Sequence, residues 1–208
     1  MLNFDFYNPT HISFGQGAIA QLDSFVPTAA KVMVLYGGQS AQRTGTLDEV
    51  KAALGERQVI LFGGVEANPT YEKLMEAVLV AREQQIDFLL AVGGGSVIDG
   101  AKFVAAAVPY TDEPWNILLS GGRDIQAALP IGTVLTLAAT GSEMNNGSVI
   151  TRQSLQSKLP FHSNLVFPKF SILDPAKSFT LPERQVANGI VDAFVHVMEQ
   201  YLTYPVNA

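Results

Sequence analysis

Apolar positions in this chain gather into short closed runs, and between the runs they recur at helical intervals. Lys31–Tyr36 (KVMVLY), Gln58–Phe62 (QVILF), Phe88–Val92 (FLLAV) and Pro130–Leu135 (PIGTVL) read as buried strands, since a strand covered on both faces needs no polar alternation. Gly45–Leu54 places Leu47, Val50 and Leu54 at helical spacing, and Thr70–Gln84 places Leu74, Ala77, Val78 and Ala81 on one face. Val97–Ala107 predicts a third helix. This alternation predicts an α/β fold of parallel strands whose crossover helices cover both faces. Upstream, His11–Gly15 is expected to pair with Asn3–Phe6 as a short antiparallel edge.

The pattern changes after about residue 136. TLAATGSEMNNGSVIT and QSKLPFHSN are polar and rich in Gly, Ser and Asn, with Val149-Ile150 expected as a strand in a hairpin. Val166–Leu173 reads as another strand, ended by Asp174-Pro175. Thr180-Leu-Pro-Glu then reads as a helix start, with Thr180 at the N-cap, Pro182 early and Glu183 completing a capping box. The helix is expected to reach about Leu202, with Val186, Ile190, Phe194 and Val197 along it.

Composition narrows the class. Of 208 residues, 48% are hydrophobic and 15% charged, which excludes a disordered tail or a coiled coil. A net charge of −6 with no Lys/Arg cluster argues against nucleic acid and anionic membranes as partners. The absence of cysteine removes disulfides and thiolate metal sites. The N-terminal residues lack the pattern of a signal peptide, and no apolar run reaches the roughly 20 residues of a membrane span. A soluble, cytoplasmic domain is the expectation.

Candidate chemistry lies at the strand ends, where open α/β sheets bind ligands. Every glycine-rich loop sits there: YGGQS, FGGVEANP and VGGGS. Backbone amides at a helix start attract anions, and glycine lets a phosphate approach closely. Two named motifs fail. A P-loop needs Lys and a hydroxyl directly after its last glycine, whereas Gly100 is followed by Ala101-Lys102-Phe103. The common G-x-G-x-x-G fingerprint follows a first strand, whereas the main loop here follows the third. Three such loops at strand ends point to a phosphate-bearing cofactor; the alternative is that the glycines only turn tight corners.

GGGSVIDGAKF, followed by LTLAATGSE and GIVDAFVHVMEQY, resembles the iron-containing (group III) alcohol dehydrogenases. Within that family it is similar to the branch of NADPH-dependent aldehyde reductases and butanol dehydrogenases, over essentially the whole chain. The resemblance implies a dinucleotide-binding α/β domain at 1–178, then at 179–208 the first helix of an all-helical domain that supplies most of a metal site. Position by position, it implies Gly94, Gly95 and Ser96 at the cofactor pyrophosphate with Asp99 beside it. Thr136, Thr140 and Ser142 would line the other side, Lys158 would lie near a ribose, and Asn68 and Pro69 would flank the adenine side. NAD-using members carry an aspartate just after the first strand. Here Gly37, Gly38, Gln39 and Ser40 follow Tyr36 with no acid, so NADP(H) is expected over NAD(H); no arginine adjoins the turn, and whether Arg43 reaches it is left open by the sequence.

Asp192 and His196 are four apart on one helix and share a face. A carboxylate and an imidazole so placed could hold a divalent ion that polarises a carbonyl for hydride attack. The resemblance implies that they are the first two ligands of iron or zinc, the others being histidines of the helical domain. Besides His196 the chain has only His11 and His162, so the site is expected to be half present. The expected function is NADP(H)-dependent interconversion of a small aldehyde and alcohol with a metal as Lewis acid, incomplete in this chain. The alternative is an NADP(H)-binding module without turnover. A relative of glycerol dehydrogenase or dehydroquinate synthase stands third, disfavoured by GIVDAFVH. Homo-oligomers are expected, through the apolar stripe of the last helix or an edge near the N-terminus.

Overall fold

The computed structural model describes residues 3 and 5–203. Six strands, β1 (His11–Phe14), β2 (Lys31–Tyr36), β3 (Gln58–Phe62), β4 (Phe88–Gly94), β5 (Ile131–Leu137) and β8 (Phe170–Leu173), form one sheet. Its order is β1-β8-β5-β4-β2-β3, and every pairing is parallel. β6 (Gly147–Arg152) and β7 (Ser157–His162) form a separate antiparallel hairpin. The helices are α1 (Leu22–Phe25), α2 (Ser40–Arg43), α3 (Thr46–Leu54), α4 (Tyr71–Glu83), α5 (Gly95–Ala107), α6 (Asn116–Leu119) and α7 (Glu183–Thr203).

The apolar runs of β2, β4 and β5 are buried on both faces because alternate side chains serve different layers. Met33, Leu35, Leu89 and Ala91 pack with Leu74 and Val78 of α4 and Phe103 and Val104 of α5. Val32, Val34, Leu90 and Val92 pack with Leu47, Val50 and Leu54 of α3. The two outermost strands, β1 and β3, are only partly covered.

Three expectations are corrected. β1 pairs in parallel with β8, His11 opposite Phe170, and not with the preceding segment. Asn8 diverts that segment: its Nδ2 donates to Met144 O at 2.6 Å and its Oδ1 accepts from Thr10 N at 2.9 Å. Asn3, Asp5 and Phe6 are not in a strand, and Phe4 lies outside the described residues. The strand expected from Val166 begins only at Phe170, since Pro168 lacks the N–H a ladder needs and Asn164–Val166 turns as a 3-10 segment. Thr180 does not cap α7. It ends the 3-10 turn Pro175–Thr180, its hydroxyl donates to Lys177 O, and the long helix starts at Glu183.

Among the described residues no helix is long and apolar enough to cross a membrane.

Candidate functional site

From β2 the chain runs outward to β3 through α3 on one face, then returns past β2 to β4 through α4 on the other. The direction of winding therefore reverses between β2 and β4, which opens a crevice beyond their carboxyl ends. Three turns meet there. A Cβ on Gly37 would lie 3.3 Å from Val65 O and 3.5 Å from Val97 Cγ2, so the turns after β2, β3 and β4 are in contact. Gly37 O accepts from Gly64 N at 2.9 Å.

The glycines of this crevice have different physical reasons. A Cβ on Gly93 would fall 2.6 Å from Val97 Cγ2, and one on Gly95 would overlap Thr140 Oγ1. Both therefore permit close packing of protein on protein. A Cβ on Gly38 would meet nothing within 4 Å, so that turn faces open space beside the exposed Gln39 and Ser40. α5 starts at Gly95 with no side-chain cap, and its first backbone N–H groups have no intrahelical acceptor, the electrostatic setting for an anion.

The β6–β7 hairpin crosses this end of the sheet and is tied down on both sides. Ser96 Oγ accepts from Asn68 N at 3.4 Å, and Lys158 of β7 donates to Asn68 Oδ1 at 2.7 Å. Pro69 is buried, its carbonyl taking Thr151 N at 3.0 Å. Glu72 accepts from the N–H groups of Gln153 and Ser154. Arg152 lies over the rings of Tyr71 and Trp115, beside Glu113 at 3.5 Å. Burial and the hydrogen bond to Glu113 push the Tyr71 hydroxyl far above its usual range.

Asp99 and Lys102, one turn apart on α5, hold the other side. Asp99 Oδ1 accepts from Ser142 Oγ at 2.5 Å and Oδ2 from Val149 N at 3.0 Å. Burial raises its pKa, against the opposing pull of Ser142, Val149 and Lys102. Lys102 is fully buried and donates to Ser142 Oγ at 2.9 Å, Asn145 Oδ1 at 2.8 Å and Gly147 O at 2.8 Å. Burial lowers its ammonium to about 8, although Asp99 and Glu143 work the other way.

Two clefts flank the turn after β5. One, of about 410 Å³, is lined by Ser40, Arg43, Thr136 and Lys177 among others. The second, of about 390 Å³, joins Leu137 and Thr140 to Gln185, Asp192 and His196 of α7. Wider clefts of about 590 and 710 Å³ lie elsewhere, and none of the residues named from the sequence lines them. Asp192 Oδ1 and His196 Nε2 are 3.6 Å apart and both more than half exposed. Among the described residues no group of three His, Cys, Asp or Glu could hold a metal ion. Among the described residues, Asp192 and His196 alone do not amount to an iron or zinc site.

The structure thus gathers Gly37, Gly38, Asn68, Gly94, Gly95, Ser96, Thr140 and Lys158 around one crevice. It engages Asp99 and Ser142 within the protein, and turns Asp192 and His196 toward the Thr140 side. Sequence reasoning missed Lys102, Asn145 and Arg152. For Lys102 a signal was present: a single lysine within GAKFVAAA, an otherwise apolar stretch, demands partners for a buried charge.

The family model for iron-containing alcohol dehydrogenase matches residues 9–175. The chain is 56% identical, over 210 aligned residues, to the NADPH-dependent aldehyde reductase YqhD of Escherichia coli, covering 100% of this chain and 54% of that protein. It is 46% identical to the probable NADH-dependent butanol dehydrogenase 1 of Bacillus subtilis, again over 100% of this chain and 54% of the relative. The crystal structure of E. coli K-12 YqhD superposes with a TM-score of 0.93 at 56% identity, over 99% of this chain and 53% of that one. The chain therefore spans about half the length of the relatives it matches. With the three motifs, the parallel sheet and the family match in agreement, this chain belongs to the iron-containing alcohol dehydrogenase family.

Proposed function

We propose that the chain binds NADP(H) in the crevice between the ends of β2 and β4, and serves an oxidoreductase that interconverts small aldehydes and alcohols. The observation that carries this is the meeting of three strand-end turns at the reversal point, with the uncapped start of α5 facing it. Gly94, Gly95 and Ser96 would take the pyrophosphate, with Thr136 and Thr140 opposite; Ser142, expected beside them, is buried on Asp99 and Lys102 and would support that wall from behind. Asn68, Pro69 and Lys158 would take the adenosine part. When bound, the nicotinamide supplies or accepts a hydride. Gly37, Gly38, Gln39 and Ser40 present no carboxylate to a 2′-phosphate, which supports NADP(H). The relatives' names divide between NADPH and NADH, so the preference rests on this turn.

A second reading is favoured by the donor count: among the described residues Asp192 and His196 make two ligands, which supports a module that holds cofactor without turning over substrate. We place a division near residue 178, supported by the change from a packed sheet to a helix with no buried residue. Val186, Ile190, Phe194 and Val197 are exposed on that helix, which supports self-association of the chain. Sedimentation giving a monomer at every concentration would count against it.

The test is NADPH and NADH binding by fluorescence, followed by butyraldehyde reduction with added Fe²⁺ or Zn²⁺. NADPH binding with turnover supports the first reading, and binding alone supports the second. No NADPH binding rejects both.

A further inference from the structure

Among the described residues Lys102 is the largest fully buried charge-bearing side chain, yet none of the roles above uses it. Its three N–H bonds go to Ser142 Oγ, Asn145 Oδ1 and Gly147 O, spread along the turn between β5 and β6. That turn matters for the crevice, because Ser142 N donates to Thr140 Oγ1 at 3.3 Å and Thr140 is the residue packed on Gly95. We infer that Lys102 is a positioning residue for the nucleotide: it fastens the Ser142–Gly147 segment to α5 and so holds Thr140 against the Gly95 turn where the diphosphate binds. The inference rests on the NADP(H) reading and deepens it, since no atom of Lys102 need touch the cofactor.

The chemistry of the fastening makes it sensitive to pH. An ammonium has three donors and all are used; a neutral amine has two, so one of the three bonds must go. The charged groups facing it are Asp99 on α5 and Glu143 on the turn, both favouring the ammonium, while Lys158 of β7 acts on Asp99. The buried site loses its proton in a range where the phosphates of NADPH are already fully ionised, the last phosphate pKa being about 6. Loosening above pH 8 would therefore come from the protein and not from the ligand.

The experiment is NADPH binding to the full chain from pH 7 to pH 9, with proton uptake measured by calorimetry in two buffers of different ionisation heat. The apparent affinity should fall, by at most about tenfold at pH 9, because the competent fraction drops to about one-tenth one unit above the pKa. Binding should take up protons over the same range. Lys102→Met should bind more weakly at pH 7 and lose the pH slope. Asn145→Ala, at an exposed position, should weaken binding several-fold while keeping the slope. A flat profile without proton uptake in the unaltered chain overturns the inference, as does an unchanged slope in Lys102→Met. If that variant does not fold, the unaltered chain and Asn145→Ala decide. Failure of the unaltered chain to bind NADPH at pH 7 overturns the nucleotide reading itself, and this inference with it.

Discussion

The Cβ that Gly95 lacks would overlap Thr140 Oγ1, so the β4 turn and the β5 turn close on each other only because residue 95 is glycine. Gly95→Ala should force the Thr140 turn outward. The expected loss is about 1–3 kcal/mol, the usual cost of overpacking, together with weaker NADPH binding. Urea unfolding measures the first. Adding Thr140→Ala, which removes the overlapping oxygen, should restore most of the stability; a double variant no better than the single would place the strain elsewhere.

Lys102 predicts an unusual stability profile. Its folded pKa is lowered from 10.5 to about 8 by burial, so between those values the unfolded chain holds more protons than the folded one. Stability should therefore rise with pH from about 8 toward 10. The Tyr71 hydroxyl, raised in the fold above its ordinary 10.0, adds stability that is present below pH 10 and is lost as pH climbs beyond it. Chemical denaturation at pH 7, 8, 9 and 10 checks the rise, and Lys102→Met should abolish it.

Gly38→Asp tests cofactor preference. The position has open space for a side chain and its φ lies outside the left-handed region, so the change should be tolerated by the fold. A carboxylate about 4 Å from a phosphate at an effective dielectric of about 20 is repelled by up to about 4 kcal/mol. Only about 1.4 kcal/mol is needed for a tenfold loss. NADPH affinity should fall by at least about tenfold while NADH binding is kept or improved. Equal losses for both cofactors would mean that the 2′-phosphate does not lie at this turn.

Arg57 supplies a control far from the crevice. Its buried guanidinium donates to the carbonyls of Asp23, Val26, Pro27 and Leu54 and to the Asp23 carboxylate. Arg57→Met removes this donor from the carbonyls of Asp23 and Val26, while Pro27 O keeps Ala30 N and Leu54 O keeps the backbone N–H of residue 57, and should cost about 3 kcal/mol in unfolding experiments. NADPH affinity at 20 °C should not change, because none of these groups lines the crevice.

Much of the sheet was legible because parallel strands covered by crossover helices are written as near-continuous apolar runs, even at the partly covered edge strand β3. KVMVLY and QVILF emerge with the same limits in the structure, and FLLAV gains only the two glycines that follow. The edges were harder to read. HISF carries no mark of direction, and its parallel pairing to β8 depends on a partner more than 150 residues away. The start of the last helix was misread because Thr180-Leu-Pro-Glu satisfies a local rule, while the turn begun at Asp174 had already claimed Thr180.

By itself the sequence determined the α/β class, the glycine turns and the family, since these are carried by local periodicity and by motifs of neighbouring residues. Only the tertiary structure decided what each glycine is for, where Asp99 spends its hydrogen bonds, and that Lys102 is a buried fastening rather than a misplaced P-loop lysine. Those answers depend on atoms about 40 residues apart meeting at hydrogen-bond distance, between α5 and the turn after β5. No spacing along the chain encodes such a meeting; it exists only once the sheet has brought β4 and β5 side by side.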